Sequence, residues 1–208
     1  MRSRDGVTIH STADVSDAAE IGAGTKIWSH VQVREGAAIG KECVLGKGAY
    51  VDLNVRIGDR CKLQNDVFVF HGFTLEGGVF LGPGVMLLND KNPRAINLDG
   101  SLKSDSDWTV SEAMVRYGAA VGGGVVVLPG VNVGRFAMVG SGAIVTRDVP
   151  DHGIAFGNPA RLRGFACACG QQLMPVERKP EGMPMRCPSC GTEVTIPPND
   201  YAQLEAGR

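Results

Sequence analysis

A six-residue beat constrains this chain more than any other feature. Counting from Ile9, every sixth residue is aliphatic: Ile9, Val15, Ile21, Ile27, Val33, Ile39, Leu45, Val51, Ile57, Leu63, Val69, Leu75, Leu81 and Leu87. Four residues after most of these stands a small or β-branched residue, such as Ala13, Thr25, Cys43 or Val55, with Phe73 as the bulky exception. Glycine often follows the aliphatic, as at Gly22, Gly40, Gly46, Gly58 and Gly82. The beat returns at Val115 and continues through Val121, Val127, Val133, Val139 and Val145. A sustained period of six with one inward aliphatic per unit is the signature of a parallel β-helix. Each hexad is a short strand and a corner, and three hexads make one coil of a triangular prism. Residues three hexads apart in sequence then stack in successive coils, about 4.8 Å apart. The composition agrees: Gly is high at 29 and aromatics are only 6%, as corners with positive φ or little space require. By this rule Cys43 and Cys61 lie one above the other in the core.

Between Leu87 and Val115 the beat is lost, and about 22 residues, Pro93 to Met114, are extra to the repeat. A loop that long inside a compact solenoid is uncommon and usually functional or disordered. Its Pro93, Ile96, Leu98 and Trp108 make it more than a solvent tract, and an adjacent subunit is the expected partner for Trp108. On the wall at its root, Asn89 stands three hexads after His71 and in the same hexad phase, so the two are expected side by side on one outer face. His10, His30 and His152 share no column with His71.

A group-transfer site on this wall would need positioning of the reactants, a base for a departing proton and a fixed donor for developing negative charge. His71 suits the base, since imidazole titrates near neutral pH. Asn89 and Asp90 are candidates to orient the acceptor or the base. The glycine-rich coils 117–130 and 139–150 allow an elongated cofactor to approach the backbone closely. Gly118, Ala119, Gly123, Gly124, Ser141 and Gly142 are the candidates there, with Arg147, Arg161 and Arg163 as phosphate partners. Asn65, Arg94, Asp107 and Trp108 are candidates for the acceptor, and Asp105 for the acceptor or the neighbouring subunit.

Four further cysteines follow the repeat: Cys167 and Cys169 as C-x-C, Cys187 and Cys190 as C-x-x-C, each pair followed by Gly. The second spacing is that of a zinc ribbon, and the first departs from it by one residue. Four thiolates would hold a structural Zn²⁺. Free thiols or disulfides are the alternative, disulfides being disfavoured in a reducing compartment. The net charge of -1, with 21 Lys+Arg against 22 Asp+Glu, gives no footing for nucleic acid. No apolar leader and no stretch of 18 apolar residues is present, so a cytoplasmic protein without a membrane segment is expected. The expected domains are a β-helix over 1–163, with a loop insertion at 88–114, and a Cys-rich zinc-ribbon-like tail over 164–208.

The segment "LQNDVFVFHGFTLEGGVFLGPGVMLLNDKNPRA", with "GTKIWSHVQVREGAAIG", "VTRDVP" and "GNPAR", resembles the sugar-nucleotide N-acetyltransferases of the bacterial hexapeptide-repeat family. The resemblance spans about residues 7–165. It implies a left-handed prism, acetyl-CoA as cosubstrate, and a homotrimer with active sites between subunits. It also implies a dTDP- or UDP-linked amino-deoxysugar as acceptor, often acylated on an amine at C3. Relatives of the diacetamido-glucuronate branch carry an acidic residue where His71 stands, whereas 3-amino-dideoxyhexose enzymes carry His, so the resemblance is nearer the latter. Two other classes are left open by the residues: a transferase for another small acceptor such as an antibiotic or amino acid, and a non-catalytic β-helical scaffold. A metal-dependent hydrase on this fold would need three converging histidines.

Overall fold

The computed structural model describes residues 2–4, 6–176 and 182–206. Two-residue strands dominate it and stack into three parallel sheets, the faces of a triangular prism. The ten-stranded face carries Lys26–Ile27, Val44–Leu45, Lys62–Leu63 and Phe80–Leu81; the seven-stranded face carries Gln32–Val33, Tyr50–Val51, Phe68–Val69 and Met86–Leu87; the five-stranded face carries Ala38–Ile39, Arg56–Ile57 and Phe73–Leu75. Together they form a left-handed parallel β-helix.

The register follows the six-residue beat. Ile57 pairs with Ile39 below and Leu75 above, Leu63 with Leu45 and Leu81, and Val69 with Val51 and Leu87. These aliphatics point inward and are fully buried, as are Cys43 and Cys61 in their stacked positions. Burying each Val or Leu contributes roughly 1.5–3 kcal/mol, so the core is a sum of many similar terms along the axis. The first coils are looser: Ile9, Val15 and Ile21 are only partly buried.

The corners explain two different uses of glycine. The residue three past most of the aliphatics has positive φ, at Gly36, Gly48 and Gly84, but also at non-glycines such as Asn54 and Arg60. The glycine directly after an aliphatic is there for space: a Cβ on Gly58 would lie 2.6 Å from the backbone N of Gly77 in the next coil.

Above the loop, Leu75 pairs with Val115, Leu81 with Val121 and Leu87 with Val127. The chain between such partners holds one ordinary coil and the whole insertion, and the unbroken register shows that the insertion returns the chain to phase. The strand resumes at Ala113–Val115, which places Ala113 and Met114 in the prism and not in the loop. The loop leaves from one prism edge, between the seven- and five-stranded faces. Within it, Ile96 bridges Leu102 in a small hairpin, and a 3-10 turn spans Asp105–Asp107.

After Gly153–Gly157 the chain turns back antiparallel as Ala160–Phe165 and closes the ten-stranded face. Beyond it a three-stranded antiparallel sheet (Met174–Pro175, Met183–Arg186, Glu193–Ile196) and the helix Pro198–Ala206 enclose a second apolar cluster. In that cluster Phe165, Leu173, Met185 and Ile196 are buried, and Tyr201 stacks on Phe165. Among the described residues no helix is long and apolar enough to cross a membrane.

Candidate active site

His71 occupies the edge from which the loop departs. Its backbone N–H donates to Asp52 Oδ2 at 3.1 Å, and its ring Nδ1 lies 2.8 Å from the carbonyl oxygen of Leu53 in the coil below. A carbonyl only accepts, so Nδ1 carries the proton in this pair and Nε2 is left with its lone pair. Asn89, in the coil above, donates through Nδ2 to the His71 carbonyl at 2.9 Å. The column expected from phase alone is therefore physically joined, coil to coil, by hydrogen bonds.

Asp52 is not among the sequence candidates, although it organises this corner. Its carboxylate, in a residue only 8% exposed, accepts from the Tyr50 hydroxyl at 2.9 Å, from the Leu53 N–H at 2.8 Å, from His71, and from Arg34 at 3.4 Å. Burial pushes the Tyr50 phenol up, which keeps it a donor. Arg34 also pairs with Glu35, whose carboxylate it holds below the usual range. That outer pair is exposed and contributes little to stability. The signal in the sequence is an acidic residue directly after an inward aliphatic, a position held by Arg34 and Phe70 in the adjacent coils.

The loop is clamped around the same corner. Ser111 N–H donates to the Asn89 carbonyl at 3.1 Å, closing the insertion on itself, and Ala113 N–H donates to the Gly72 carbonyl at 3.1 Å. Gly72 has φ of +95°, and a Cβ there would meet Val110 Cγ1 at 2.5 Å. Asp90 does not reach His71 by any hydrogen bond; its Oδ1 accepts from Asn92 N–H and opens the loop as a turn. Asp107 is held below the usual carboxylate range by the Ser104 N–H and hydroxyl, and caps the short helical turn. Arg94 is exposed and donates to the Pro93 carbonyl, while Trp108 is half-buried.

The remaining candidates occupy the other two edges. Asn65 shares an edge with Gly123, Gly124, Ser141 and Gly142, joined by Gly84 N–H to Asn65 O, Gly124 N–H to Pro83 O and Gly142 N–H to Gly123 O. Asn65 thus falls in the cofactor column and not beside His71. Gly118 is on the third edge, crowded by Phe136, and the Ala119 side chain faces the core. Arg147 and Arg161 do come together, lining a cleft of about 200 Å³ with Val149, Pro150, Ala155 and Gln203 of the C-terminal helix. The Arg163 guanidinium lies 6.0 Å from the Phe156 ring centroid. His10 and His30 lie on the Asn65 edge, both tied to Thr12, and His152 stacks on Phe136 at the third edge, so the histidines do not converge. The Sγ atoms of Cys167, Cys169, Cys187 and Cys190 lie within 4.8 Å of one another.

No family model matches the chain. Over 60 residues it is 47% identical to the dTDP-3-amino-3,6-dideoxy-alpha-D-galactopyranose 3-N-acetyltransferase of Aneurinibacillus thermoaerophilus, covering 29% of this chain and 31% of that protein. The relatives it resembles are hexapeptide-repeat acetyltransferases. A second relative, the galactoside O-acetyltransferase of Lactococcus lactis subsp. lactis, is 29% identical over 124 residues, 60% of this chain and 53% of the relative. The chain thus spans between a third and about half of the length of these curated relatives. Among solved structures, a variant of AntD, an N-acyltransferase from Bacillus cereus solved with dTDP and coenzyme A, matches with a TM-score of 0.53 and 14% identity over 76% of this chain and 79% of that one, a likeness of fold.

Proposed function

We propose that this protein transfers an acetyl group from acetyl-CoA to the amino group of a nucleotide-linked amino-deoxysugar, with dTDP or UDP as the carrier and C3 as the amino position. The observation that carries this reading is the His71 ring, held by the Leu53 carbonyl in the tautomer that leaves Nε2 as a base. The name of the Aneurinibacillus relative supports the choice of acceptor. In the reaction the amine nitrogen attacks the thioester carbonyl carbon, a C–N bond forms, and His71 Nε2 takes the amine proton. The C–S bond then breaks and the CoA sulfur leaves with a proton returned from the imidazolium. Asn89 is a strut toward His71 through Nδ2 and offers Oδ1 to the amine. Asp90 sets the turn that starts the loop, and the acceptor lies beneath that loop near Arg94, Asp107 and Trp108. CoA runs along the Asn65 edge past Gly123, Gly124, Ser141 and Gly142, and Arg147 and Arg161 receive its phosphates.

The reading extends to assembly. Above Asp14 and Gln32, the outward residues of the seven-stranded face, Tyr50, Phe68, Met86, Val126 and Ile144, form an apolar column next to the His71 edge, while the five-stranded face offers Glu20, Ala38, Arg56, Thr74 and Met114. An apolar column of that kind suits a subunit interface, in a cytoplasmic homotrimer with sites between subunits. The transferase domain is 1–163, with the loop at 88–112, and 164–208 is an appendage.

A panel of dTDP- and UDP-linked amino sugars, with CoA release followed by a thiol reagent, tests the acceptor. His71→Ala is expected to lower kcat/KM by about 10²–10⁴. A loss of only about threefold would remove His71 as the base.

A further inference from the structure

The appendage carries a constellation that acyl transfer does not use. Two turns of nearly the same build face each other. In the first, Cys167 N–H donates to the Gln171 carbonyl at 2.7 Å and Gly170 N–H to the Cys167 carbonyl at 2.8 Å; in the second, Cys187 N–H donates to Thr192 O at 2.9 Å and Gly191 N–H to Cys187 O at 3.0 Å. Gly170 and Gly191 take φ of +89° and +74°, the left-handed step that turns each knuckle over its cysteine. The first knuckle reaches the same geometry with one residue fewer between its cysteines.

The sulfurs converge from both knuckles. Cys167 Sγ is 3.6 Å from Cys190 Sγ, Cys169 Sγ is 3.5 Å from Cys187 Sγ, and all four lie within 4.8 Å of one another. Four thiolates about 2.3 Å from a central ion form a tetrahedron whose edges are about 3.8 Å. Two disulfides would need close contact within each pair only, and nothing would draw the pairs onto one point. Cys190 Sγ also lies 3.2 Å from the Thr192 hydroxyl oxygen. A hydroxyl so placed is an outer partner that can orient and stabilise a metal-bound thiolate. Cys167 and Cys187 are buried, while Cys169 and Cys190 face solvent.

We infer that Cys167, Cys169, Cys187 and Cys190 hold one zinc ion in a closed tetrathiolate site that pins the C-terminal sheet and helix onto the last coil of the prism. The attachment runs through Ala166, next to the first ligand: its N–H donates to the His152 carbonyl at 2.6 Å, and its carbonyl lies 2.8 Å from His152 Nδ1. With all four positions taken by sulfur, the ion has no site for substrate and its work is structural.

Metal analysis of the full chain, purified without added zinc, is expected to find about one zinc per chain. Titration with an organomercurial should release it as the four thiols are consumed, and the cobalt-substituted protein should show the absorption of a tetrahedral thiolate site. His71→Ala should keep its zinc and Cys190→Ser should lose it. Should Cys190→Ser fail to fold, the cobalt spectrum of the unaltered chain still decides. Less than about 0.1 zinc per chain in folded protein, or non-reducing peptide mapping that finds these cysteines as disulfides, would overturn the site. Amide exchange after removal of the ion should rise in residues 183–206 and stay unchanged in the hexads between 26 and 87; unchanged exchange in 183–206 would overturn the pinning role.

Discussion

Asp52 is the residue on which the His71 corner rests. Its carboxylate takes hydrogen bonds from Tyr50, Leu53, His71 and Arg34 in a nearly buried position, so Asp52→Ala strands several donors at once. Leaving buried donors unpaired costs about 1–3 kcal/mol. Urea denaturation of Asp52→Ala should show that loss, whereas Asp52→Asn, which keeps an acceptor, should lose less. His71 and Asn89 were legible in the sequence because the six-residue beat makes one coil of every three hexads, and polar residues in one phase must meet. Asp52 was not, because the bonds that tie it to Leu53 and His71 come from backbone N–H groups common to every residue, and only its Arg34 partner stands in the same phase. Asn65 shows the same arithmetic from the other side: one hexad from His71 is one face away, however close the two stand in the chain.

At the scale of the element, the loop is joined to the prism by few but stiff contacts. Gly72, with φ of +95°, packs against Val110 and Ser111 at the loop's return. Gly72→Ala would put a Cβ 2.5 Å from Val110 Cγ1 and 2.9 Å from the Ser111 carbonyl, in a conformation that costs an ordinary residue about 1–3 kcal/mol. A lower denaturation midpoint and faster protease cutting within residues 88–112 are expected; unchanged cutting would mean the loop root tolerates the shift. The presence of the insertion was readable from the lost phase of the repeat, but its end was not: Ala113 and Met114 already belong to the returning strand. Its interior was not, since Ile96, Leu98 and Leu102 stay exposed and no buried periodicity marks the hairpin they form.

At the scale of the whole molecule, the three faces differ in what they show to the outside. Tyr50, Phe68, Met86, Val126 and Ile144 give the seven-stranded face its apolar column, with Tyr50, Phe68 and Phe70 in mutual ring contact. A charge placed in the middle of that column would be desolvated in the proposed homotrimer. If this face is the proposed interface, Met86→Arg shifts the assembly toward monomer in light scattering after size exclusion, with the denaturation midpoint of the monomer little altered; an unchanged assembly would move the interface to another face, and a monomeric unaltered protein would overturn the trimer. The same view gives meaning to the strand Ala160–Phe165, which folds back antiparallel on Gly153–Gly157. A stack of parallel coils is a growth front: its open top repeats the pattern that its bottom could dock on, as in a fibril. The reversed strand and the knob behind it replace that front with a surface that no coil can continue, so the turn at Asn158 and Pro159 makes a potentially endless polymer into a finite molecule.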